Sequence, residues 1–144
     1  MKNRVIKFRI WNGKSFLKGR ELDDICLSVD GEPLIREGQE LNLLEDNFIV
    51  QQYTGLKDKN GKEIYEGDII KTNPEHPVCL LKMTRESEKF TDYSNGEVRW
   101  WNNGFAICQK NVGATRISEY SDCDCCPCGL EVIGNVFENS QLLS

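Results

Sequence analysis

The sequence predicts a mainly β protein of short, strongly bent antiparallel strands. A small SH3-like, partly open barrel is expected in its C-terminal half, with an N-terminal β lobe and little helix. Three observations carry this expectation. Five Asn-Gly or Asp-Gly dipeptides punctuate the chain, at Asn12-Gly13, Asp30-Gly31, Asn60-Gly61, Asn95-Gly96 and Asn103-Gly104. Both residue types tolerate the positive φ of tight hairpin turns, so each dipeptide is a candidate hairpin tip. The runs between them are short and rich in Val, Ile, Phe, Tyr and Trp, as strands are. Helix signals are sparse.

In order along the chain, "RVIKFRIW" alternates polar with apolar. Ile6, Phe8 and Ile10 form the face to be buried; Val5, Lys7 and Arg9 form the other. "EGQELNLLEDN" is the best helix candidate, one or two turns in which Leu41 and Leu44 share a face. "NFIVQQYTG" is the next strand, with Phe48 and Val50 opposed to Ile49 and Gln51. "GDIIKT", "PVCLLKM", "GEVRWW", "GFAICQ" and "LEVIGNVFE" complete the series, and the polar "TRESEKFTDYSN" is a connecting loop. In "RWWNNGF" the adjacent Trp100 and Trp101 point to opposite faces, so one is expected in the barrel core and the other outside, or covered by the N-terminal lobe. Short bent strands at this spacing fit a partly open barrel.

The chain of 144 residues is organised as a single domain: residues 1–54 form the N-terminal β lobe, 55–139 the barrel-like core and 140–144 a tail. At this length roughly 68–70% of the unfolded surface can be buried, so the fold needs no disulfides. With 39% hydrophobic and 28% charged residues the composition is globular rather than disordered. No apolar run approaches the ~18 residues of a membrane span. The alternating start, "MKNRVIKFRIW", lacks the apolar core of a signal peptide. These readings point to the cytosol, where the seven cysteines are expected as reduced thiols. Cys26, Cys79 and Cys108 each lie in an apolar stretch and are read as small core-filling groups.

A net charge of −5 lacks the cationic excess on which non-specific nucleic-acid binding runs. A local patch at "KFRIWNGKSFLKGR" is the exception, and its plain reading is a solvated strand face.

The segment "QQYTGLKDKNGKEIYEGDIIKT" (residues 51–72) reads as a rigid corner. Asn60 and Gly61 tip a hairpin that the charged run Lys57-Asp58-Lys59 and Lys62 keep wet. Gly67 supplies unusual dihedrals to a second turn, and Asp68 bonds its own downstream backbone. Tyr53, Leu56, Ile64 and Tyr65 pack beneath. The same segment closely resembles the signature of the YopX-like proteins. So do "IKFRIWN" (Ile6 to Asn12), "GEVRWWNNGFAI" (Gly96 to Ile107) and "LEVIGNVFENSQLL" (Leu130 to Leu143). That resemblance implies a β-rich protein of phages and integrated elements that self-associates and has no established activity. It supplies no catalytic residue.

The chemistry-bearing residues are few. His76, the single histidine, sits in "NPEHPVC" between two prolines with no partner to make it a general base. Glu66 and Asp68 place two carboxylates two residues apart, enough to suggest a divalent cation, but the intervening glycine favours turn chemistry. "CDCCPCG" crowds Cys123, Cys125, Cys126 and Cys128 into six residues. Adjacent side chains project apart, so the four sulfurs do not readily close one tetrahedron. A zinc held by His76, Cys79 and one of the two C-x₂-C knuckles, Cys123 with Cys126 or Cys125 with Cys128, is the alternative. The plain reading is a thiol-rich connection without metal, and no cofactor is expected. Function follows by class. The first reading is a non-enzymatic accessory protein that acts through self-association or protein contacts, its partner unspecified. The rival is a nucleic-acid module stacking bases on Trp100 or Trp101 beside the basic N-terminal strand.

Overall fold

A computed structural model describes residues 5–44, 47–72, 95–110, 113–117 and 130–143. The "PVCLLKM" strand, most of the "TRESEKFTDYSN" loop, His76, Cys79 and the Cys123–Cys128 cluster lie outside them. The protein is mostly β, built of antiparallel sheets, and among the described residues helix is limited to single 3₁₀ turns such as Gly19–Leu22 and Ser140–Leu143.

The chain forms two compact units, which meet along the sequence between Gln52 and Tyr53. In the unit Ile6–Gln52, strand β1 (Phe8–Trp11) pairs antiparallel with the first half of β5 (Ile49–Lys57), Phe8 opposite Gln52 and Trp11 opposite Ile49. Ile10 and Trp11 are buried, but Ile6 and Phe8 are exposed. The predicted apolar face of "RVIKFRIW" is therefore buried at Ile10 alone: Ile6 precedes the regular strand, and Phe8 opens it while still exposed. Gln51 is buried and accepts a hydrogen bond on Oε1 from Arg9 Nε at 2.8 Å. The Arg9 guanidinium also lies over the Phe16 ring, 4.4 Å from its centroid.

The remaining strands of this unit are β2 (Ile25–Leu27), β3 (Pro33–Glu37) and β4 (Glu40–Leu43), in that sheet order. The β2–β3 turn uses Asp30-Gly31 as predicted, with Gly31 at φ +87°. The stretch proposed as helical is instead the β3–β4 hairpin. Gly38 at φ +66° opens a two-residue loop between the paired Glu37 and Glu40, the position where a type II′ turn wants glycine. Alternation of Leu41 and Leu43 prevails over the helical spacing of Leu41 and Leu44.

In the second unit an open five-stranded sheet runs β10-β9-β8-β7-β11. Its strands are β7 (Asp68–Thr72), β8 (Gly96–Trp101), β9 (Gly104–Gln109), β10 (Gly113–Arg116) and β11 (Leu130–Asn135). The second half of β5 pairs with β6 (Glu63–Tyr65), Tyr53 opposite Tyr65 and Lys57 opposite Glu63. The core gathers Ile64, Ile70, Val98, Phe105, Ile107, Ile117, Leu130 and Val132, with Leu56 packed against it. Burial of this set supplies the main driving force, at roughly 1.5–3 kcal/mol for each large aliphatic side chain.

Two of the predicted tips differ in detail. Asn95-Gly96 is not a turn: Gly96 is buried at the start of β8, where a Cβ would collide with Ile107 Cγ2 and sit 2.8 Å from Gln109 Cγ. The β8–β9 hairpin turns on Asn102 and Asn103, at φ +44° and +67°, with Trp101 opposite Gly104. Two consecutive positive φ values mark the type I′ turn whose twist matches paired strands.

Candidate functional site

The family-like segment folds into a corner whose two buried carboxylates are spent on backbone N–H groups and an asparagine amide. The hairpin between β5 and β6 closes with Asp58 N–H donating to Lys62 O at 2.8 Å and Gly61 N–H donating to Asp58 O at 2.9 Å. Gly61 alone takes positive φ, +81°. This is a three-residue loop, a type I turn followed by a left-handed glycine, so Asn60 needs no left-handed conformation.

Asp58 is the residue that organises the corner. Its carboxylate is only 1% exposed, although lysines flank it on both sides. Oδ1 accepts from the N–H of Asn60 at 2.8 Å and of Lys62 at 2.9 Å, and Oδ2 from Val132 N–H at 3.0 Å. The third bond spans 74 residues of sequence and lands on β11. Next to it Lys59 N–H donates to Leu130 O at 3.0 Å. β11 is an edge strand of the five-stranded sheet, and Leu130 and Val132 are the residues whose backbone faces its free side. The hairpin thus covers that edge with one side-chain and one main-chain bond. An uncovered edge is a template for unwanted strand addition. Burial on its own raises the Asp58 carboxyl. The N–H groups of Val132, Lys62 and Asn60, with the Lys62 charge, outweigh it and hold the group below its ordinary 3.8.

A second buried carboxylate serves the next turn. Gly67, at φ +75°, donates its N–H to Val98 O at 2.8 Å and accepts from Val136 N–H at 2.9 Å, so it ties β8 to the end of β11. Asp68, 1% exposed, accepts on Oδ2 from Tyr65 N–H at 2.8 Å and on Oδ1 from Asn135 Nδ2 at 3.3 Å. Asn135 in turn accepts from Phe137 N–H through its Oδ1 at 3.1 Å. Asn60 and Gly61 lie at the tip of the β5–β6 hairpin, and Gly67 and Asp68 at the turn that follows β6. Asp68 bonds the N–H of Tyr65, three residues upstream, rather than the downstream backbone expected of it. The sequence reading missed Asp58, which it took for part of a wet charged tip. Its signal was present: aspartate is favoured at the first position of a type I turn, where its side chain bonds the backbone two residues on.

His76, Cys79, Cys123 and Cys126 lie outside the described residues, as do Cys125 and Cys128. Among the described residues no group of three or more His, Cys, Asp or Glu side chains gathers. Cys26 and Cys108 are unpaired and half-buried. Burial pushes the Cys108 thiol up, partly offset by Arg99 and reinforced by Glu97, which suits a packing group rather than a nucleophile. Arg99 is committed to Glu97 through Nη2 at 2.5 Å.

The tryptophans correct one expectation. Neither is buried: Trp100 and Trp101 are each 52% exposed. Trp100 shares the face of Val98 but lies beyond the core, stacked edge-on against Phe105 at 4.9 Å between centroids. Trp101 stands opposite Gly104, which has no side chain to cover it. No helix among the described residues is long and apolar enough to cross a membrane.

The family described as YopX protein matches over residues 7–144. No curated protein matches. Two solved structures are similar over nearly the whole chain. Protein EF1440 from Enterococcus faecalis is 24% identical, with a TM-score of 0.58 over 99% of this chain and 100% of that one. Protein YopX from Bacillus subtilis is 18% identical, with a TM-score of 0.54 over 95% of each chain. At these identities the likeness is one of fold.

Proposed function

This chain belongs to the YopX family, and from that premise we propose that it is a non-enzymatic accessory protein of phages or mobile elements, acting in the host cytosol through protein contacts that include self-association. One observation supports this reading above others. The two buried carboxylates of the family-like segment are consumed in architecture: Asp58 and Asp68 point their oxygens at backbone N–H groups and an asparagine amide. A catalytic carboxylate needs an oxygen free to meet a substrate proton. The test is affinity capture from host cells, with nuclease-treated and untreated samples compared by mass spectrometry. The reading expects protein partners, or copies of the chain itself, that survive nuclease. Recovery only of nucleic-acid-bound material that nuclease releases would sink it.

That last outcome belongs to the rival reading, a nucleic-acid module, which the two half-exposed tryptophans favour. Bases stack on such rings without regard to sequence. Of the cations on that part of the sheet, Arg99 is already paired with Glu97 and Arg116 donates to Asn102 O at 3.1 Å.

A further inference from the structure

Two of the sheets treat one of their edges differently. β11 is covered by the Asp58 hairpin, but β4 is an edge strand with every residue exposed. Leu41 is 54% and Leu43 70% exposed. Leu44 N–H donates to Pro33 O at 3.0 Å, which sets the phase of the β3–β4 ladder. Alternate residues Glu40, Asn42 and Leu44 turn their backbone groups toward β3, and Leu41 and Leu43 turn theirs away. On its outer side β4 has no strand neighbour among the described residues, and that side therefore offers two N–H and two C=O groups. Of the devices that blunt an edge, β4 has only its shortness and the charge of Glu40 at its first position; a lysine, a proline or a bulge would block pairing more strongly. Glu40–Leu43 has neither lysine nor proline, and its pairing with β3 is regular throughout.

We propose that β4 is a self-pairing edge, at which two copies of this chain join antiparallel about a two-fold axis through Asn42. The proposal rests on the self-association reading above and gives it a place. The strand is self-complementary in this register. Leu41 meets Leu43 of the second copy, and the reverse, so all four outward-facing residues form reciprocal N–H···O=C pairs. Asn42 meets itself, and Glu40 meets Leu44, so no carboxylate faces another. Shifting the pairing by two residues puts Leu41 opposite itself but leaves Leu43 opposite Gln39, so only one leucine pair forms. The correct register also extends an apolar row. Cys26 pairs with Leu34 and Leu34 with Leu43, and Leu41 of the second copy continues the line across the joint. Such a closed two-fold contact uses the same patch on both partners and stops growing after one step.

Two substitutions act on the free side alone. Leu43→Pro removes an N–H that β3 does not use, and proline is tolerated on an edge strand with that geometry. Leu41→Lys places the charge that protected edges carry. Sedimentation of the wild-type chain over a concentration series should show reversible self-association. Both variants should weaken it at least tenfold, with far-UV circular dichroism unchanged. Asn42→Cys adds a test of register. Residues opposite one another at a non-hydrogen-bonded site have Cα atoms about 4.5 Å apart, within disulfide reach. Mild oxidation should then yield a peptide joining Cys at 42 to its own copy. Self-association that persists in both proline and lysine variants, without that cross-link, overturns the β4 edge but leaves the self-association reading standing. A wild-type chain that stays monomeric up to ~1 mM, where only Kd values weaker than about −4 kcal/mol of binding escape notice, overturns both.

Discussion

Replacing Asp58 by asparagine changes one oxygen for an NH2 of nearly the same size, so it isolates the electrostatic role of the corner. Asparagine can still accept from Asn60 and Lys62 through its oxygen. Its amide nitrogen then faces Val132 N–H, donor against donor, where the carboxylate accepted at 3.0 Å. The Val132 N–H is buried, and an orphaned buried donor costs about 1–3 kcal/mol. The remaining two bonds weaken as well, because charge-assisted bonds are roughly twice as strong as neutral ones. A loss of about 2–4 kcal/mol follows, and at this chain length it lowers Tm by roughly 5–15 °C. Asp58→Ala should be at least as damaging, since it orphans all three donors.

The pH dependence provides a second, independent reading. The folded-state pKa of Asp58 lies below its ordinary 3.8, so the unfolded chain binds that proton more readily. The stabilisation is therefore fully present above the unfolded value and is lost as pH falls through the folded one. Urea melts followed by tryptophan fluorescence at neutral pH and between about pH 5 and 2 would measure both effects. The wild-type acid limb should be steeper than that of Asp58→Asn. An asparagine variant as stable as wild type at neutral pH, or one with the same acid limb, would refute the view that the buried carboxylate holds the hairpin to β11.

Gly61→Val should destabilise the protein by roughly 1–3 kcal/mol, because Gly61 sits at φ +81° where a β-branched residue is strained; an unchanged melt would count against the turn. DNA binding should be weak or absent at ~0.15 M salt, given the net charge of −5; a sub-micromolar Kd for duplex or single strand, tighter than the 10⁻⁴–10⁻⁶ M usual for non-specific binders, would reverse the order of the two functional readings. Protein purified without chelator should carry no stoichiometric zinc. About one zinc per chain, with a collapse of stability in strong chelator, would instead mark His76, Cys79, Cys123 and Cys126 as the first ligands to replace.

What the sequence disclosed and what it hid divides by range of interaction. Turn chemistry is local, so Gly31 and Gly61 are at their predicted tips, and β-branched alternation placed β7, β8, β9 and β11. Where two local patterns compete, the outcome depends on partners the pattern does not contain. Leu41, Leu43 and Leu44 satisfy a helical and a strand spacing at once, and pairing with β3 decides for the strand. The tryptophans show the same limit. Alternation correctly opposes Trp100 and Trp101, but exposure depends on where the core ends along the hairpin, and it ends before either. Asp58 is the furthest from view. Its turn role could be read from four neighbouring residues, yet its burial follows from a β11 amide 74 positions away. A lysine on each side signals solvent to any window-based reading, and the lysine ammoniums do reach outward: Lys59 pairs with Glu131 at 2.5 Å on the surface. The short side chain between them turns inward because a sheet edge needs an acceptor there. The resemblance of the "GLKDKNGKEIYEGD" segment to a family signature is thus explained physically by two carboxylates that close a fold, and the place to look for function moves to the β4 edge, which no strand among the described residues closes.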